Sequence, residues 1–189
     1  MPGPPNIEGY AIVSEDGMLA NAAGVMPESL KFEADKRFFE QGLDGVDVVV
    51  HGRHSHEQQP HSAQRRRLIV TRDVAGVAAD LTNGKARLWN PAGASLEQAM
   101  IDLGVPGARI GVVGASEVFA LFLDRYDAFY LSRAPGVRLP GGRPVFPEVP
   151  PRTPEQVLTA HGMRCAERRA LDAAKGLMLE TWRRTGASG

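Results

Sequence analysis

Two short apolar runs, each closed by a glycine turn, constrain this chain more than any other feature. Val46-Asp47-Val48-Val49-Val50 leads into His51-Gly52-Arg53-His54-Ser55, and Arg109-Ile110-Gly111-Val112-Val113 leads into Gly114-Ala115-Ser116-Glu117. Side chains branched at Cβ suit extended backbone, and a nearly unbroken apolar run suits a strand covered on both faces. Strands of that kind belong to parallel sheets, whose crossovers carry helices.

The rest of the chain supplies those helices and further strands. Tyr10-Ala11-Ile12-Val13 reads as a strand running into the turn Ser14-Glu15-Asp16-Gly17. From Pro27 to Gln41 the residues Leu30, Ala34 and Phe38, with Phe39 beside them, recur at helical spacing, and Gly42 is expected to stop that helix. Leu68-Ile69-Val70-Thr71 is another strand, and Ser95 caps the helix-forming run Leu96 to Met100. Gly114-Ala115-Ser116-Glu117 opens an apolar helix, Val118 to Leu123. Ala128-Phe129-Tyr130-Leu131 reads as strand, and Pro135 to Pro154 as an ordered, Pro- and Gly-rich surface loop. Val157 to Leu171 and Gly176 to Arg183 could form a terminal antiparallel pair, although Ala160 to Ala174 also fits a helix. Alternating elements predict right-handed crossovers and helices on both faces of the sheet.

With 189 residues, 43% of them hydrophobic, the chain can bury one sizeable core, so a single domain over 7–184 is expected, with flexible termini at 1–6 and 185–189. A formal net charge of zero gives no global field for nucleic acid or an anionic membrane. The lone Cys165 suits a reducing compartment, and Met1-Pro2-Gly3-Pro4-Pro5 lacks the basic and apolar regions of a signal peptide. A cytoplasmic protein with neither nucleic-acid nor membrane partner is expected.

Any anion must then be bound locally, and the two glycine turns share a design for it. A strand that runs through glycine into a helix start presents free N–H groups, while the glycine lets a phosphate approach the backbone. Both turns would lie beyond the carboxyl ends of parallel strands, where ligands usually bind. The ordinary alternative is that Gly52 and Gly114 are strand-to-helix punctuation.

In that order, and with Asp16-Gly17 upstream, these segments resemble the dihydrofolate reductase superfamily, over roughly Ile7 to Arg184. Ser14-Glu15-Asp16-Gly17-Met18-Leu19-Ala20 is similar to the S-x-D-G-x-I-A pattern of its riboflavin-biosynthesis branch. The resemblance implies a three-layer α/β fold with a mostly parallel sheet and a C-terminal antiparallel hairpin. It also implies NADPH as cofactor, a small heterocyclic substrate and a homodimer. Gly52, Arg53, His54 and Ser55 match the M-G-R-x-T segment that holds NADPH phosphates, and Thr71 and Arg72 fall where the 2′-phosphate is met. Gly114, Ala115, Ser116 and Glu117 match the I-G-G-x-x segment at the pyrophosphate. The second glycine of that segment is Ala115 here, a departure that would cost energy if the position needed positive φ. Phe146-Pro147-Glu148 and Gly176 to Trp182 resemble the last loop and strand, which favours strands over helix at the terminus.

On the substrate side, the acid that dihydrofolate reductases carry in their first helix falls by spacing at Ser29, with Glu28 one residue early. A one-residue offset turns a helical side chain by about 100 degrees. Asp16, Glu28 and Ser29 are therefore the catalytic candidates, and reduction of a pyrimidine ranks ahead of dihydrofolate. A nucleotide-binding module without turnover is the alternative of a different class. His51, His54, His56 and His61, with Glu57, could form a metal site, but solvent-facing histidines are the expectation and no metal is assigned. Arg65-Arg66-Arg67 is either a solvated strand start or an anion patch, with Arg65 near a folate carboxylate. Trp89 and Trp182 are read as packing residues.

Overall fold

The computed structural model describes residues 3–55 and 60–186. β1 (Asn6–Val13) turns through Ser14–Gly17 into β2 (Met18–Ala20), and a single 3-10 turn, Glu28–Leu30, precedes α1 (Glu33–Asp44). β3 (Val48–Gly52), β4 (Arg66–Val70), β5 (Val77–Ala79) and β6 (Ala86–Trp89) lead to α2 (Leu96–Asp102). β7 (Arg109–Val112), α3 (Ser116–Leu121), β8 (Ala128–Arg133), β9 (Arg143–Pro144), α4 (Pro154–Ala160), β10 (Met163–Asp172) and β11 (Leu177–Arg184) complete the chain.

Nine strands form one sheet in the order β10-β11-β8-β1-β7-β3-β4-β6-β5. The six from β8 to β6 are parallel, and β11, β10 and β5 are antiparallel to their neighbours. β2 and β9 pair separately, so the Pro-rich loop is ordered by a small ladder of its own. It also plants Val145 and Phe146 in the core.

Strand alternation sends side chains to two unequal layers. Ile7 and Val13 of β1, with Val48 and Val50 of β3, meet α2, α3 and α4 in the larger core. Tyr10 and Val49 face the other way, where Leu43, Phe38 and Phe39 of α1 cover them. Tyr10 stacks on Tyr130 with ring centroids 5.0 Å apart, and Phe38 meets Tyr130 edge-on. Tyr126, 0% exposed, donates its hydroxyl to the Phe119 carbonyl at 3.0 Å, which answers its burial cost. Trp89 and Trp182 are buried, and their indole N–H groups donate to Ala94 O and Glu180 Oε2. Among the described residues no helix is long and apolar enough to cross a membrane.

Several expectations need correction. The helix expected over Pro27 to Gln41 is divided, because Phe32 is extended (φ −107, ψ 129) and α1 starts only at Glu33. Gly42 does not stop it; α1 runs through Gly42, where an added Cβ would lie 2.5 Å from the Tyr10 ring. That glycine is a point of close helix-to-sheet approach. Val157 to Ala160 belong to α4, which Thr153 caps by accepting from Gln156 N–H at 3.1 Å, while the region from Met163 is strand. Asn6 and Thr185, read as flanking residues, are hydrogen-bonded to Ala108 O and Gly162 O. β5 and β6 carried no strong sequence signal: each is four residues or shorter.

Candidate functional site

Parallel strands bring their carboxyl ends to one edge, and that edge unites segments that are distant in sequence. The Gly52 N–H donates to the Gly114 carbonyl at 2.9 Å, and the Val113 N–H donates to Val50 O at 3.0 Å. The two glycine turns are therefore one locus. Gly114 has φ +110, a conformation side chains resist, and an added Cβ would stand 3.2 Å from the Phe119 ring. Ala115 has φ −87 and ψ −160, extended backbone that any residue adopts, so the position does not need the positive φ that would favour a second glycine. Ser116 is half-buried and Glu117 exposed on the first turn of α3.

The helix start expected after the Gly52 turn falls on residues 56–59, outside the described residues. Ser55 N–H donates to Gly52 O at 3.0 Å, a tight turn, and among the described residues between β3 and β4 only Ser62–Gln64 is helical, as a 3-10 turn. Arg53 and His54 are exposed, and Arg53 forms an ion pair with Asp73 across the ends of β3 and β4. Thr71 is buried: its N–H donates to Trp89 O, and its Oγ1 accepts from the Asp73 N–H at 3.2 Å. Arg72 is exposed beside it.

Among the described residues, His51 and His61 stand in different surroundings. His51 is buried with Nδ1 2.8 Å from Gly52 O, whereas His61 lies 3.2 Å from both Asp44 carboxylate oxygens. His56 and Glu57 lie outside the described residues. Glu40, Asp44 and His61 do approach one another, but Arg65 donates to the same Asp44 carboxylate at 2.6 Å and already supplies a cation. Arg65 thus stands at the start of β4, the opposite edge from the glycine turns.

In the turn after β1, the Asp16 carboxylate accepts from Ser14 Oγ at 2.6 Å and from the Leu139 N–H at 3.0 Å. Burial alone would raise its pKa, but these bonds and the nearby Arg138 hold it below the usual carboxylate value. Asp16 therefore sews the β1–β2 turn to the 137–139 segment. Glu28 is exposed and paired with Lys31, and Ser29 is exposed on the 3-10 turn. Neither points to a buried partner among the described residues.

Sequence reasoning missed Asp35. It stands on the first turn of α1, half-buried, where burial pushes its carboxyl up to about 6 against a hydrogen bond from Ser132. Ser132 is 1% exposed near the carboxyl end of β8, in register with Ile12 of β1. The available signal was an acid three residues before Phe38, on the face that α1 turns to the sheet, and a lone serine ending Phe129-Tyr130-Leu131. β8 and β7 flank β1, so Ser132 and the Gly114 turn lie two strands apart, roughly 10 Å at about 4.8 Å per strand.

By sequence, neither a family model nor a curated protein matches the chain. By structure, a protein of riboflavin biosynthesis from Shewanella sp. PV-4 superposes with TM-score 0.68 and 19% identity, over 95% of this chain and 99% of that one. The diaminohydroxyphosphoribosylaminopyrimidine deaminase/5-amino-6-(5-phosphoribosylamino)uracil reductase of Thermotoga maritima gives 0.64 at 14% identity, over 96% of this chain and 57% of that one. Dihydrofolate reductase from Enterococcus faecalis, complexed with NADP(H), gives 0.61 at 14% identity, over 95% and 96%. The sheet order, its terminal antiparallel hairpin and these superpositions identify the chain as having the dihydrofolate-reductase-like fold, with a riboflavin-biosynthesis protein among its structural neighbours.

Proposed function

We propose that the chain is a reductase that binds NADPH along the Gly52 and Gly114 turns and reduces a small heterocycle beside Asp35, as in the pyrimidine reductase step of riboflavin synthesis. The observation that carries this reading is the convergence, on one sheet edge, of two hydrogen-bonded glycine turns and an acid with a raised pKa. The residues present fit a dinucleotide. Gly114 keeps a bare backbone where a pyrophosphate would approach, with Ala115, Ser116 and Glu117 following, and His54 and Ser55 offer backbone N–H groups. Arg53, Thr71 and Arg72 sit where a 2′-phosphate would be met. When bound, the cofactor supplies the hydride. The protein's own part is to orient the ring over β1, exclude water and hold the proton that the reduced nitrogen or oxygen must gain. Asp35 does this last, because an acid with pKa about 6 is still partly protonated near neutrality.

Asp35 also favours a second reading, dihydrofolate as substrate. A serine in place of an acid is one ground for ranking it lower, and Asp35 removes it; the likeness of Ser14 to Ala20 to the riboflavin-biosynthesis pattern still favours the pyrimidine. Purified protein assayed with NADPH against both the pyrimidine intermediate and dihydrofolate separates the two. Oxidation of NADPH by the pyrimidine, lost in Asp35→Asn, is the result expected. Turnover of dihydrofolate alone, at roughly 1 per second or more, puts the second reading first. Binding without oxidation by either would mark a nucleotide-binding module. A cytoplasmic homodimer completes the reading, and analytical ultracentrifugation checks the dimer.

A further inference from the structure

Beyond the phosphate turns, the cofactor edge carries an acid that the reading above does not use. Asp73 lies just past the end of β4, beside the Gly52 turn, because β3 and β4 pair in parallel with Gly52 opposite Val70. Its backbone N–H is held by Thr71 Oγ1 at 3.2 Å, which fixes the turn. Its carboxylate forms the ion pair with Arg53, and both side chains remain more than half exposed, so a ligand can reach either. An acid at the end of the strand next to a phosphate turn is the arrangement that accepts from a free ribose 2′-hydroxyl, whereas an arginine there accommodates a 2′-phosphate. Here the two stand together and neutralise each other.

We propose that Asp73 sets the choice between a 2′-hydroxyl and a 2′-phosphate on the adenosine ribose, with Arg53 as its counterpart; the proposal rests on the dinucleotide reading above. Asp73 accepts from the hydroxyl of NADH. For NADPH, the 2′-phosphate takes Arg53 away from Asp73 and tolerates the carboxylate nearby, with Arg72 as a second cation. The protein therefore accepts both dinucleotides, with a preference for NADPH smaller than two arginines alone would give. Both side chains are exposed, so exchanging either leaves the core untouched.

The test is calorimetric titration of the wild type, Asp73→Asn and Arg53→Gln with NADPH, NADH, adenosine 2′,5′-bisphosphate and AMP. Asp73→Asn is expected to tighten NADPH and the bisphosphate about tenfold and to weaken NADH, raising the preference ratio. Arg53→Gln is expected to weaken NADPH and the bisphosphate about tenfold while leaving NADH and AMP within about twofold. Ratios that stay fixed in both variants while the wild type binds would overturn the role of Asp73 and leave the dinucleotide site standing. A wild type that binds none of the four ligands would overturn the site itself, and the proposal with it.

Discussion

Asp35→Asn separates the chemistry of this protein from its stability. The carboxyl of Asp35 is carried from an ordinary 3.8 up to about 6, chiefly by burial. A group whose pKa is raised by folding makes the native state bind more protons than the unfolded chain between those two values. The stability it confers is complete below about pH 3.8 and is lost as the pH climbs through about 6. At about 1.4 kcal/mol per tenfold change in proton affinity, the charged form costs the folded protein about 3 kcal/mol near pH 8, and partial exposure brings this to about 2. Asparagine has nearly the same shape and does not titrate. The variant should therefore be more stable than the wild type by about 2 kcal/mol near pH 8, with a flatter stability profile between about pH 4 and 7. Urea unfolding across that range measures both. Its turnover should fall by roughly 10²–10⁴-fold if Asp35 supplies the proton, and the limb that declines above about pH 6 should vanish. A variant less stable at pH 8, with an unaltered pH slope, would refute burial as the cause of the shift.

Two further outcomes are expected. Gly114→Val forces a branched residue to φ +110 and brings its Cβ within 3.2 Å of Phe119, so NADPH affinity should drop at least tenfold in a titration of protein whose circular dichroism is native. Unchanged affinity in the folded variant would reduce Gly114 to a structural turn. Arg184→Ala removes three charge-assisted hydrogen bonds, to Tyr126 O, His161 O and Leu123 O, each at 2.8 or 2.9 Å, and takes that donor from all three carbonyls. The loss should be about 3 kcal/mol by urea unfolding, and a loss under about 1 would mean that water replaces the guanidinium.

The parallel sheet was legible because Val48 to Val50 and Ile110 to Val113 are apolar where both faces are covered, and because Gly52 and Gly114 end them. Adjacency of the two turns was not legible, since it depends on β7 pairing with β3 across an interval that includes three other strands. Gly42 was misread because a glycine that ends a helix and one that lets a helix approach Tyr10 look alike in one dimension. Asp35 escaped for a related reason. Alignment by spacing placed the acid at Ser29 or Glu28, while the extended Phe32 moves the helix start to Glu33 and makes Asp35 the first-turn residue that reaches Ser132. The raised pKa arises from that packing, and no local pattern announces it. The ion pair of Arg53 with Asp73 likewise joins two loops that only the β3–β4 register brings together.

Mapping backbone amide shifts during an NADPH titration decides whether the carboxyl edge of the sheet is a dinucleotide site. Saturable shifts should fall on Gly52 to Ser55, Thr71 to Asp73 and Gly114 to Glu117, with Asp35 and Ser132 moving when substrate is added. Shifts confined to the opposite edge, around Arg66 and Lys85, or no shifts at millimolar cofactor, would contradict it.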